Sequence, residues 1–114
     1  MSTTAEPSPL ASKADPLGAF EETLSNLQSA RDDVFLEAYG RLLSAPLPRR
    51  LAFLEYMLQS AQPETRQEAA ILLGSTIAPQ SESILNSALE REGDAAVQRA
   101  MHIAQGEIVL RANS

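Results

Sequence analysis

The sequence contains no cysteine and no tryptophan, and aromatic residues make up only 4% of its 114 residues. Without cysteine there is no disulfide, and thiolate catalysis and cysteine-ligated metal sites are excluded. No apolar run approaches the roughly 18 residues of a membrane-spanning helix. Residues 1–15 show neither the basic start nor the apolar stretch of a secretory signal. We therefore expect an intracellular, cytoplasmic protein.

Positive charge is also scarce, because nine Lys and Arg residues face 15 Asp and Glu residues and the formal net charge is −6. A chain with this balance is repelled by phosphate backbones and by anionic lipid surfaces. We therefore expect neither nucleic acid nor a membrane as the partner. The charge favours a partner protein with a basic surface.

The residues that are abundant indicate an all-α fold. Hydrophobic residues make up 44% of the chain, and they are mainly Leu, Ala, Ile, Val and Met, of which Leu and Ala are strong helix formers. Residues 1–14 are small and polar and contain Pro7 and Pro9, which predicts a flexible tail or, alternatively, a short docking peptide. Residues 15–114 are predicted to form one domain.

Turn and cap residues divide this domain into six predicted helices of roughly 11–15 residues. The predicted helix starts are Asp15-Pro16, a capping box at Ser29–Asp32, Pro48, Pro63, Pro79, and Asp94 as an N-cap. Apolar residues at helical spacing are expected on the inner faces. They include Phe35, Ala38, Leu42, Leu51, Leu54, Met57, Ala70, Leu73, Ile77, Leu85, Val97 and Met101.

A repeat with a period of 31 residues runs through the chain. Two sets of three residues follow it: Ala38, Ala69 and Ala100, and Leu27, Leu58 and Leu89. Each repeat would be a pair of helices that cannot bury its apolar face alone, so neighbouring pairs must stack. The small residue suits a close approach of two helices, and the leucine would fill the layer between the pairs.

Residues 62–74, QPETRQEAAILLG, resemble the second helix of a HEAT-type repeat, and residues 94–100 and 32–42 resemble it more loosely. The resemblance covers about residues 16–110. Thr65 departs from the usual valine of such helices, and only the middle copy has the usual arginine, Arg66. The period is shorter than the roughly 40–47 residues of eukaryotic repeats and is similar to that of compact bacterial HEAT-like repeats.

The resemblance implies a short, right-handed α-solenoid of about three helical hairpins, whose second helices line a concave surface. If the repeated alanines face inward, the residues one before and two after them face outward. The predicted partner-binding residues are Glu37, Arg41, Glu68, Ile71, Ser75, Arg99 and His102. Alternatively, Ile71 and Leu72 pack against the adjoining hairpins.

The sequence shows no pattern of catalytic residues. A single histidine, His102, cannot build a multi-histidine metal site, and the carboxylate pairs Glu21-Glu22 and Asp32-Asp33 diverge on a helix instead of facing one another. The five glycines have no phosphate-binding spacing. We therefore predict no catalytic residue, no metal and no cofactor, and a protein that is not an enzyme.

These observations predict a non-catalytic interaction module, an adaptor or accessory subunit that binds a partner protein through the groove of the second helices. The alternative is an immunity or inhibitor protein that neutralises a basic toxin or nuclease. A lyase similar to the HEAT-like phycobilin lyases fits less well, since those proteins are larger. The apolar residues 108–110 either close the core, which is the expectation, or form an interface with a second copy.

Overall fold

The computed structural model describes residues 18–113 and contains six α-helices and no β-strand in that range. The helices are α1 (Phe20–Leu27), α2 (Asp32–Ser44), α3 (Leu47–Met57), α4 (Pro63–Gly74), α5 (Gln80–Arg91) and α6 (Ala95–Ala112). The all-α prediction is confirmed. The predicted tail, residues 1–14, and the predicted start at Asp15-Pro16 lie outside the described residues. The chain divides into two compact units, Met1–Arg50 and Leu51–Ser114.

Helices α2, α4 and α6 begin with the same kind of turn. The Ser29 hydroxyl accepts a hydrogen bond from the Arg31 backbone N–H, and the Ser60 hydroxyl accepts one from Gln62, both at 3.1 Å. Before α6, a Glu92 carboxylate oxygen accepts the same bond from Asp94 at 3.0 Å. The residues before the three helices also share extended backbone angles near φ −90° and ψ 125°.

The individual helix starts follow the sequence signals in part. Asp94 is the N-cap of α6, as predicted, and its carboxylate accepts hydrogen bonds from the backbone N–H groups of Ala96 and Val97. The capping box predicted at residues 29–32 is wrong, because Arg31 occupies the N-cap position without a side-chain cap. Ser29 instead stabilises the turn that precedes the helix.

The first unit is built on the packing of α1 against α2. Ala38 and Leu42 of α2 are buried, as the apolar spacing predicted. The Arg49 side chain lies 4.1 Å from the centre of the Phe20 ring and donates a hydrogen bond to the Gly18 carbonyl at 2.7 Å. A guanidinium over an aromatic face is a stabilising arrangement, so Arg49 holds the start of α1 in place.

The second unit is built on a close pairing of α4 and α6, and α5 packs on both. A Cβ atom added to Gly74 would lie 2.8 Å from the Ala104 Cβ atom, so the glycine permits the helices to approach this closely. The Arg111 guanidinium donates to the carbonyl oxygens of Gly74, at 2.6 Å, and Thr76. This cation satisfies carbonyl groups at the C-terminal end of α4.

The buried residues agree with the repeat in all three copies. Ala38, Ala69 and Ala100 are each buried, as are Leu42, Leu73 and Ala104 one turn later. Leu58 is buried, whereas its equivalents Leu27 and Leu89 are half-buried.

Two of the expected inner-face residues are exposed. Phe35 is 37% exposed and stacks on Tyr39, with their ring centres 5.8 Å apart. Ile77 is 80% exposed because α4 ends at Gly74 and Ile77 lies in the following turn. The expectation that residues 108–110 close the core is also wrong for two of the three, since Val109 is 45% and Leu110 71% exposed.

Candidate functional site

A groove with a volume of about 310 Å³ lies between α4 and α6 in the second unit. Its lining residues are Gln67, Ile71, Ala96, Arg99, Ala100, Ile103, Ala104 and Glu107. Of its three alanines, Ala100 and Ala104 are buried, and its two isoleucines come from different helices, Ile71 from α4 and Ile103 from α6. Such a mixture of apolar surface with a few polar groups at the edge is typical of a protein-binding surface.

Helix geometry sets the two walls. Gln67 and Ile71 are one turn apart on α4, and they point outward because Ala70 and Leu73 point into the core. On α6, Arg99, Ile103 and Glu107 are spaced by four residues, which places them on one stripe of the helix. Both walls therefore lie on the outer faces of helices whose inner faces are buried in the same unit.

Both isoleucines expose apolar surface to solvent, since Ile71 is 48% and Ile103 58% exposed. Neither side chain is needed to fill the core, which is closed beneath them by Ala70, Leu73 and Ala104. Complete burial of an isoleucine is worth about 1.5–3 kcal/mol. A partner that covers both half-exposed side chains would therefore gain roughly half of that amount from each.

The charged residues of the groove are Arg99 and Glu107, and both are exposed. Within residues 18–113, neither side chain forms an ion pair. Glu68, which is also exposed, lies next to the groove on α4. Glu107 Oε1 lies against Gly74 at the end of α4, so these charges can reach a binding partner without breaking an ion pair.

The structure brings two of the predicted partner-binding residues, Ile71 and Arg99, into this groove. Glu68, Ser75 and His102 are exposed but are not among its lining residues. The Ser75 hydroxyl donates to the Leu72 carbonyl at 3.0 Å at the end of α4.

His102 Nδ1 lies 3.2 Å from Gln105 Oε1, and the Gln105 amide donates to Asn86 of α5. This network ties the outer face of α6 to α5. The binding role assigned to His102 by the sequence stays a prediction.

The other two predicted residues, Glu37 and Arg41, lie together on α2 in the first unit. Their side chains form an exposed ion pair of 3.0 Å, one helical turn apart. They line a separate, smaller cavity of about 200 Å³, together with residues of α1 that include Glu22 and Asn26. Their roles in binding also stay predictions.

Comparison with known proteins identifies no relative. No protein-family model, no curated protein and no solved structure shows a significant match to the chain. The likeness to HEAT-type repeats therefore rests on the residues quoted above and stays a prediction.

Gln67, Ile103 and Glu107 line the groove but were not singled out from the sequence. A signal was present, since Ile103 and Glu107 continue the four-residue spacing from Arg99, and Gln67 is one turn before Ile71. The repeat gave no indication that Ile103 is exposed, because the equivalent residue 31 positions earlier is Leu72, which is only 7% exposed.

A buried ion pair lies outside the groove. Arg66 on α4 donates two hydrogen bonds to the Glu92 carboxylate, at 2.8 and 2.9 Å, and a third to the Ser60 carbonyl at 2.8 Å. Hydrogen bonds from Arg66 lower the pKa of Glu92, against the opposing effect of burial, and the Asp94 backbone N–H lowers it further. The Glu92 hydrogen bonds likewise raise the pKa of Arg66. The two charges neutralise each other. Because Arg66 also contacts Ser60 and Glu92 also contacts Asp94, the pair joins the turn before α4 to the turn before α6.

No group of three or more His, Cys, Asp or Glu side chains within residues 18–113 is arranged to hold a metal ion. None of the helices in this part of the chain has the length and apolar character that a bilayer crossing requires.

Proposed function

We propose that this chain is a non-catalytic protein–protein interaction module, an adaptor or accessory subunit, that binds its partner through the face of the second helices. The observation that carries the proposal is the groove between α4 and α6, where Ile71 and Ile103 are half-exposed. An apolar centre with charged residues at its edge is the composition of many protein interfaces. The groove offers shape and apolar surface, and its lining contains no nucleophile or histidine.

The proposed architecture is a short, right-handed α-solenoid of three HEAT-like hairpins. The hairpins would be α1–α2, α3–α4 and α5–α6. Three features support this arrangement: the 31-residue repeat, the equivalent buried alanines, and the shared turn before each second helix. In such a stack the second helices form one continuous face, and the groove would be part of that face.

The proposed partner has a basic surface. Residues 51–114 contain twice as many acidic residues as arginines. One of those arginines, Arg66, is already paired with the Glu92 carboxylate of the chain itself. The charge that remains at the surface is therefore mainly negative, and it would speed the approach of a basic partner. We also propose a cytoplasmic location, because residues 1–15 do not resemble a secretory signal and no apolar run in the sequence is long enough to span a membrane.

The same negative surface suits the second candidate function, an inhibitor of a basic toxin or nuclease. The two functions differ in their dependence on salt. Inhibition through a highly charged surface would weaken steeply as ionic strength rises, whereas binding through the apolar groove would change little.

The proposed function is tested by affinity capture with the tagged chain from an extract of its native cells, using wild type, Ile71→Asp and Ile77→Asp. We expect Ile71→Asp to lose the specifically captured partner by at least about tenfold, since a charge would be buried in the apolar groove. Ile77→Asp is the matched control, because Ile77 is exposed in the same unit but lies outside the groove. Equal capture by Ile71→Asp and wild type would refute the proposal.

A further inference from the structure

The groove wall on α6 carries an ordered set of side chains. From the N-terminal to the C-terminal end it presents a base, an apolar residue and an acid: Arg99, Ile103 and Glu107. Their spacing of four residues puts each about 6 Å from the next along the helix axis. Arg99 and Glu107 are therefore about equally far from Ile103, on opposite sides of it.

This order is self-complementary. A second α6 helix running antiparallel presents an acid, an apolar residue and a base in the same direction. If a two-fold axis passes near Ile103, Arg99 of each copy meets Glu107 of the other copy, and the two Ile103 side chains meet at the axis. Closed two-fold dimers have interfaces of this kind, in which one patch contacts its own copy.

We propose that the α4–α6 groove binds a second copy of this chain, with α6 helices antiparallel and with two reciprocal Arg99–Glu107 ion pairs. Ile103 of each copy enters the groove of the other copy beside Ile71, so that four half-exposed isoleucines are covered together. Arg99 and Glu107 form no ion pair with the described residues of their own chain, so no internal ion pair is lost, and Glu107 exchanges only the contact of its Oε1 with Gly74 of α4.

The inference goes beyond the proposed function, because it concerns the state of the chain when no partner is bound. The dimer and the proposed partner use the same groove, and each therefore excludes the other. The contact is small, being one helix pair and its flanks, so we expect a weak, concentration-dependent dimer with a dissociation constant on the order of 10 µM. Self-association would then lower the apparent affinity for the partner as protein concentration rises.

Charge reversal tests the inference by sedimentation equilibrium of the full chain. Arg99→Glu places two carboxylates opposite each other at both pairs, and Glu107→Arg places two cations there. We expect each variant alone to dimerise at least about tenfold more weakly than wild type. An equimolar mixture of the two variants should form a heterodimer, because the pairs then have opposite charges again. The double variant Arg99→Glu, Glu107→Arg should also dimerise.

Two variants control for charge itself. Arg91→Glu and Glu55→Arg change exposed residues outside the groove and should dimerise as wild type does. Thermal unfolding of every variant checks that it is folded. The inference is overturned if wild type is monomeric up to millimolar concentration, if both single variants dimerise as wild type does, or if their mixture forms no heterodimer. A monomeric wild type that still loses its partner through Ile71→Asp would overturn the dimer alone.

Discussion

At the scale of single residues, Arg66 and Glu92 form a largely buried ion pair with two hydrogen bonds in the second unit. The Glu92 side chain is only 4% exposed, and Arg66 approaches it with two hydrogen bonds. A carboxylate in this position is expensive to bury without its partner. Glu92 also accepts from the Asp94 backbone, and thus the carboxylate supports the start of α6.

Glu92→Gln should destabilise the protein by about 3 kcal/mol at pH 7, since Arg66 loses its buried counter-charge. The lowered pKa of Glu92 gives the pH dependence. A carboxyl group with a lower pKa in the folded state stabilises the fold above its unfolded pKa of about 4.3. This stabilisation is lost as the pH falls through the folded pKa. The free energies of unfolding of wild type and Glu92→Gln should therefore differ most at neutral pH and become more similar in acid.

Urea unfolding of wild type and Glu92→Gln between pH 7 and pH 3 measures this difference. Glu90→Gln is the control, because Glu90 is exposed on the same turn of chain and should change the free energy of unfolding by less than about 0.5 kcal/mol. If the free energies of unfolding of wild type and Glu92→Gln differed by the same amount across this pH range, the ion pair would not be the cause of the loss of stability in acid.

Asp94→Ala should cost about 1 kcal/mol, because two N–H groups at the start of α6 lose their acceptor. Chemical denaturation measures the loss. Ser83→Ala, at an exposed position of α5, should leave stability within about 0.5 kcal/mol of wild type. An Asp94→Ala protein as stable as the Ser83→Ala control would show that the cap is dispensable.

At the scale of helices, the approach of α4 to α6 forms the groove. Gly74 is in close contact with Ala104 of α6, and the small residues Ala100 and Ala104 line the groove together with Ile71 and Ile103. Larger residues at these positions would push the helices apart and change the shape of the groove. The small residues at these positions thus shape the groove as well as the core.

Gly74→Ala should destabilise the protein by about 1–3 kcal/mol, because the new methyl group would overlap Ala104. The better helix propensity of alanine, worth about 1 kcal/mol, would not offset this overlap. Gly106→Ala is the matched control on α6, since a Cβ there meets nothing within 4 Å, and it should stabilise by up to about 1 kcal/mol. If Gly74→Ala unfolded at the same temperature as wild type or at a higher one, the close approach of α4 to α6 at Gly74 would be contradicted.

Helix periodicity predicted most of the helices, but it did not predict correctly which residues are exposed at every position. The Asp94 cap and the buried repeat alanines follow directly from local chemistry and spacing. Ile77 was misplaced because periodicity carries no information on where α4 ends, and its end after Gly74 turns Ile77 outward. Ile103 was missed because only packing distinguishes it from its repeat equivalent Leu72. The groove itself depends on how closely α4 and α6 approach each other, and this cannot be predicted from the residue pattern of either helix alone.

At the scale of the whole molecule, the residues of the groove and those of the core are largely separate. Ile71 and Ile103 lie on the groove walls, and the residues beneath them close the core. The chain already gains roughly half of the burial free energy of each isoleucine, so replacing both by aspartate should cost about 1.5–3 kcal/mol in the free energy of unfolding. Denaturant titration of this double variant checks the separation. A loss well above about 3 kcal/mol would show that the isoleucines contribute to the core beyond their buried half.

The central claim is that another polypeptide, either a partner or a second copy, covers the groove between α4 and α6. Site-specific photo-crosslinking in cells tests it most directly, with a photoreactive amino acid in place of Ile103 or, as the control, Ile77. We predict a discrete adduct from position 103 and little or none from position 77. Adducts of equal yield from both positions, or none from position 103 in a folded protein, would contradict the claim.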